Sequence, residues 1–238
     1  MAKASFGRRC VRGIAAGLGL GAGLYATYAA TTWLRYGRVP AAGNEEADAL
    51  LDEFMPVFEI VERHHVCVDA PAEVTLAAAR EVDFSKSAVV RAIFKGRELA
   101  MGTDPDDANR PRGLVPLALS LGWRVLAEIP DREIVLGAVT RPWQANVVFR
   151  SIPAGQFAAF DEPDYVKILW NLRADPNPDG NSILRTETRA VATDLSARRK
   201  FRRYWSLVSP GIVLIRLFAL RLLKDDAERA VHSRSFSP

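Results

Sequence analysis

Glu187 and Arg189 stand two residues apart in the stretch 182–193, SILRTETRAVAT, where Arg185, Glu187 and Arg189 alternate with Leu184, Thr186, Thr188 and Ala190. Alternate residues of a strand share a face, so the stretch presents one charged face and one of small side chains. If Glu187 and Arg189 point into an apolar cavity, they pair there and orient the polar head of a ligand. If the small face meets a helix instead, the charges form a solvated ladder. Trp170, Tyr204, Trp205, Val208 and Ile212 are the large side chains expected to wall such a cavity beside them.

Other reactive residue types form no catalytic pattern. His64 and His65 are adjacent in a predicted strand and point to opposite faces, so they do not share a metal. The chain has no G-x-S-x-G elbow, H-E-x-x-H, P-loop or C-x-x-C. Glu128, Glu133 and Glu187 could serve as acids or bases, yet three carboxylates among 28 acidic residues define no site. Asp104, Asp106, Asp107 and Asn109 suggest calcium, but a calcium loop wants Gly at 109 and Glu at 115, where this chain has Asn and Val. No catalytic residue, metal or cofactor is expected. Cys10 and Cys67 set no disulfide framework and read as free thiols with packing roles.

Arg198, Arg199, Lys200, Arg202 and Arg203 crowd the start of a long helical pattern, where the helix dipole disfavours cations. They make either a solvated face or a contact with anionic lipid headgroups, the latter at roughly 1 kcal/mol per residue. The net charge of +4 hides an asymmetry. Six of the 32 basic residues and no acid lie in residues 1–40, leaving 26 basic against 28 acidic groups beyond. Residues 185–238 hold twelve basic and five acidic groups. One basic segment on an acidic body argues against a nucleic-acid surface.

These residues need a scaffold and a location. Residues 13–34 carry no charge over 22 positions, enough to span about 30 Å of hydrocarbon. Lys3, Arg8, Arg9 and Arg12 precede the run; Arg35 and Arg38 follow it. That bias places the N-terminus on the cytoplasmic side and the rest of the chain outside, periplasmic or extracytoplasmic. The alternative is a cleaved signal peptide with Thr27-Tyr28-Ala29 as its small-x-small site. Gly17 and Gly21, like Gly19 and Gly23, have the spacing that lets helices approach in lipid, but set no oligomeric state for the domain.

Beyond a linker with a short helix at 47–55, alternation predicts strands at 58–68, 123–129, 132–139, 147–150, 165–174 and 182–193. Helices are expected from Pro71 to about 81, at 87–101 and at 114–121, with a polar loop at 102–113 and a helical turn at 153–160. The two strands at 123–139 are apolar on both faces, so one should meet the long helix and the other a loop or neighbouring chain. From Leu195 onward Phe201, Tyr204, Trp205, Val208, Ile212, Ile215, Phe218, Ala219 and Leu222 recur at helical steps. Pro210 interrupts the pattern: the helix either kinks there or splits, with Ser209 capping the second piece. Arg216 and Arg221 within the apolar run point to a core or membrane-surface helix rather than a second span.

A strand ending in V-x-A-P-A-E-x-V at Val68 to Val74, two short helices, antiparallel strands and a long C-terminal helix resembles the START-like superfamily, also called polyketide cyclase or Bet v 1-like (SRPBCC). FDEPDYVKILWNLRAD, TETRAVATD and FRRYWSLVSPGIVLIR are similar to an uncharacterised bacterial branch of it. The resemblance covers residues 58–231. It implies an α+β helix-grip fold, a curved antiparallel sheet wrapped around the kinked C-terminal helix, here preceded by a transmembrane helix. Six strands are counted where the family usually has seven. The implied organisation is a basic tail (1–12), a transmembrane helix or signal anchor (13–34), a linker with a short helix (35–57), a START-like ligand-binding domain (58–231) and a disordered tail (232–238). The resemblance also implies a hydrophobic or lipid-like small molecule bound between sheet and helix, and the lack of a catalytic pattern makes a non-catalytic, membrane-anchored binding role the expectation. A cyclase or hydrolase on the same fold, or an envelope interaction protein without a ligand, are the alternatives.

Overall fold

The computed structural model describes residues 19, 21–83, 87 and 111–235. The expected helix at 87–101, most of the polar loop after it and the basic N-terminal tail lie outside these residues. In chain order the elements are α1 (21–35), α2 (Ala49–Phe54), β1 (Ile60–Val68), α3 (Ala72–Glu81), α4 (Leu114–Ser120), β2 (Arg124–Ile129), β3 (Glu133–Thr140), β4 (Phe149–Arg150), α5 (Ala154–Phe157), β5 (Val166–Pro176), β6 (Ser182–Ala192) and α6 (Leu195–Ser235).

The strands form one curved antiparallel sheet in the order β1-β6-β5-β3-β2, with β4 paired to β3. Turn chemistry sets the hairpins. Asp131 joins β2 to β3 with φ 56°, and Gly180 lies at φ 81° in the connection between β5 and β6, where Asn177 N–H donates to Asn181 O at 2.9 Å. The register places Trp170 opposite Thr188, Leu169 opposite Arg189, and Arg63 opposite Glu187.

Both faces of the sheet are covered by this chain. On one face, Ile134, Leu136, Leu172 and Leu184 pack with α3, α4 and the C-terminal half of α6 through Leu76, Val115, Leu220, Leu223 and Ala227. On the other, Val135, Val139 and Leu169 pack with Leu51, Phe54 and Met55 of α2 and with Phe157 of α5. Every residue of β3 is buried, which is why it reads as a continuous apolar run instead of an alternation. The face expected to meet a loop or another chain is therefore closed by two short helices of the same chain. Gly137 of β3 makes room for α5: a Cβ there would come within 2.9 Å of the Phe157 ring.

Of the two alternatives at Pro210, the split into two helices does not occur. α6 runs unbroken through Pro210 and continues to Ser235, four residues into the stretch expected as a disordered tail. Ser209 is fully buried, and its hydroxyl has no hydrogen-bond partner, so it caps nothing. Proline removes one backbone hydrogen bond, at about 3 kcal/mol or more. Phe201, Trp205, Ala219, Leu220 and Leu223 are buried on either side of it, and each large apolar side chain contributes about 1.5–3 kcal/mol, so packing outweighs the break. Cys67 is a free, exposed thiol and fills no core position, contrary to the packing role expected of it.

Candidate functional site

Between the sheet and α6 lies a cavity of about 330 Å³. Its sheet wall is the small-residue face of β6, Thr186, Thr188 and Ala190, continued by Ile168, Trp170 and Leu172 of β5. α6 supplies Phe201, Tyr204, Trp205, Ile212, Ile215, Arg216 and Ala219, and the rim adds Leu114, Trp123, Val147 and Phe149. Aromatic contacts stiffen both ends: Trp123 meets Phe149 at 5.0 Å and Trp170 at 6.0 Å between ring centroids, while Phe201 lies 6.0 Å from Trp205. Each such aromatic pair contributes about 0.5–1.5 kcal/mol beyond its burial.

Of the expected ligand-binding residues, Trp170, Tyr204, Trp205 and Ile212 line this cavity. Val208, half-buried on α6, is not among the lining residues. Glu187 and Arg189 lie on the opposite face of β6, so neither the cavity pair nor the solvated ladder is what forms. The reason is α2, which lies over them. Arg189 Nε donates to Glu187 Oε1 at 2.6 Å, and its Nη1 donates to Asp52 at 2.5 Å and to the Met55 carbonyl at 2.9 Å. Arg63 Nε completes the pair from β1 at 2.8 Å from Glu187 Oε2.

The same buried layer continues along β5. Asn171 Nδ2 donates to Asp48 Oδ2 and to Glu133 Oε1, each at 2.8 Å. Asp48 Oδ1 accepts from Leu50 N and Leu51 N at 3.1 Å, so the residue that caps α2 also fixes it to the sheet. Arg173 donates to Asp48, to Ala47 O and to Glu45 O. Burial, with a hydrogen bond to Asp48, pushes the Glu133 carboxyl up to about 8. With these partners bonded to one another, the network clamps α2 to the sheet.

Arg216 is the residue that residue-type reasoning passed over. Its guanidinium is buried against the cavity: Nη2 donates to Thr188 Oγ1, and Nη1 has no partner among the described residues. Burial pushes this arginine down to about 10, partly offset by the attraction of Glu62. Spacing could have revealed it. Ile212, Arg216, Ala219 and Leu223 follow one another at steps of four, three and four, so Arg216 shares the helix face that lines the cavity.

The five cations at the start of α6 divide. Arg198 pairs with Glu59 at 2.8 Å, and Lys200 with Asp164 at 2.5 Å. Arg202 donates to Trp33 O at 2.9 Å and stacks over the Trp33 ring at 4.2 Å. Arg199 and Arg203 are exposed. Arg198, Arg199 and Arg202, with Tyr36 and Leu195, border a surface cleft of about 350 Å³. Tyr36 packs edge-on against Phe201 and donates to Glu59 Oε2 at 2.7 Å, while Tyr25 donates to Leu207 O at 2.5 Å. α1 therefore runs antiparallel along the first half of α6.

No protein-family model matches the chain, and no curated protein does. A solved structure that is similar to it is protein CV1439 from Chromobacterium violaceum, at 13% identity over 65% of this chain and 96% of that one. Its TM-score of 0.25 is too low for the likeness to bear on fold or function.

Proposed function

We propose that this is a membrane-anchored domain that binds a hydrophobic or amphipathic, lipid-like small molecule between the sheet and α6, without chemistry of its own. The observation that carries the reading is the preformed cavity of about 330 Å³ walled by aromatic and aliphatic side chains. Ligand sites of about 300–1,000 Å³ with few polar groups are built this way. The START-like resemblance of residues 58–231 supports the same use. The uncharged run 13–34 supplies the anchor, with the N-terminus cytoplasmic and the domain extracytoplasmic.

The outer surface of α6 agrees with life at a membrane. Leu207, Leu214 and Leu217 are exposed there, as are Leu24 and Tyr28 of the neighbouring α1. By length and composition alone α6 could itself span a bilayer. Its other face packs on the sheet and carries Arg216, so it serves as wall and not as span. Native mass spectrometry of the purified full chain, with organic extraction of what it carries, tests the reading. A stoichiometric apolar adduct supports it; a chain that stays empty and takes up no hydrophobic probe overturns it. A reporter enzyme fused to the C-terminus tests the sidedness.

A further inference from the structure

Arg216 is a cation in a mostly apolar wall and makes no ion pair among the described residues. Its Nη2 donates to Thr188, while Nη1, buried, has no partner among the described residues. The buried carboxylates of the sheet's other face do not serve it. Glu187, Asp48 and Glu133 belong to the face under α2, bonded there to Arg63, Arg189, Asn171 and Arg173. Glu62 on β1, across from Thr188, attracts Arg216 from a distance, and no ion pair joins the two among the described residues. Of the two threonines beside it, Thr186 already donates to Asn171 O at 2.8 Å. Thr188 accepts from Arg216 and keeps its own hydroxyl hydrogen for another acceptor.

An ion taken from water without a partner is held at high cost, so a site of this kind is completed by a charge that arrives with its occupant. We infer that the cavity takes a single-chain amphiphile with a carboxylate head, which meets Arg216 Nη1 and the Thr188 hydroxyl while its hydrocarbon lies along Trp170 and Ile212. This rests on the reading of the cavity as a ligand site. The planar fork of guanidinium matches a carboxylate. One cation balances one negative charge, whereas a phosphate monoester brings about 1.5–2. The volume of about 330 Å³ lies at the small end for ligand sites, room for one chain rather than two.

The test uses the full chain in phosphatidylcholine nanodiscs and quenching of tryptophan fluorescence, since Trp123, Trp170 and Trp205 all face the cavity. The probes are a brominated sixteen-carbon carboxylic acid and the matching brominated alcohol, at a pH of about 8.5 where the acid is ionised. Quenching through the bilayer is common to both, so the difference between them is the readout. The acid should quench at a concentration at least about tenfold lower than the alcohol. Arg216→Met should abolish that difference, mainly by raising the concentration at which the acid quenches, and Arg216→Lys should keep part of it. Equal quenching by acid and alcohol in the wild type, or a preference that survives Arg216→Met, overturns the carboxylate assignment and leaves the cavity reading standing. If neither probe quenches beyond the bilayer background, both fail.

Discussion

The Glu187 carboxylate and the Arg189 guanidinium, two residues apart on β6, meet at 2.6 Å on the face of the sheet turned away from the cavity. Both are almost fully buried beneath α2. Removing Glu187 leaves Arg63 without a carboxylate, while Arg189 keeps Asp52, and stranded buried charge typically costs about 3–5 kcal/mol. Glu187→Ala, which leaves Arg63 and Arg189 facing each other, should lower unfolding free energy in urea by about that amount. The affinity of the folded protein for an amphiphilic probe should not change. A weakened affinity at unchanged stability would return Glu187 to the ligand site.

Glu133 makes stability depend on pH in a defined sense. Its carboxyl, ordinarily at 4.5, is pushed up to about 8 by burial and by Asp48. Between those values the folded chain holds a proton that the unfolded chain has released. Its stabilising contribution is therefore complete below the lower value, declines as pH rises, and is gone above the higher one. Urea midpoints should fall between about pH 5 and pH 8, and Glu133→Gln should flatten the slope without removing the hydrogen bonds around Asn171.

The basic cluster on α6 can be tested where its members are not already committed. Arg199 and Arg203 are exposed, while Arg198, Lys200 and Arg202 hold contacts to Glu59, Asp164 and Trp33. In a chain lacking residues 1–35, Arg199→Glu with Arg203→Glu should weaken partition onto phosphatidylserine vesicles by roughly tenfold or more, at about 1 kcal/mol per charge. Equal pelleting with anionic and neutral vesicles would remove the patch from any membrane role.

Gly122 links α4 to β2 at φ 99°, and a Cβ there would stand 2.1 Å from the Phe149 carbonyl oxygen. Backbone cannot yield as a side chain can. Gly122→Ala should cost at least about 1–3 kcal/mol of stability and displace Phe149 from Trp123. The loss would register both as a lower melting temperature and as a change in tryptophan fluorescence.

Much of the architecture was legible because it rests on local rules. The turn formers between Asp175 and Gly180 demand a hairpin, and the alternation of Leu184, Thr186, Thr188 and Ala190 demands a strand with two unlike faces. Trp170, Tyr204, Trp205 and Ile212 were legible as cavity walls because they are large, apolar and correctly spaced. Val208 failed, since its half-buried place on α6 falls off the lining arc.

The sequence by itself determined the period of each element, the positions of the hairpins and the presence of a charged row on β6. Only the tertiary structure decided which side of the sheet that row would face. Alternation is symmetric between the faces, and the symmetry is broken by α2, a six-residue helix whose Asp48, Asp52 and Met55 carbonyl supply long-range partners for Arg173 and Arg189. Pro210 shows the same division: local rules end a helix there, and the burial of Trp205, Ala219 and Leu220 to either side carries it through. Arg216 completes the contrast. In the sequence it is one arginine in a greasy run; in the fold, the bond to Thr188 on β6 holds its guanidinium at the cavity wall.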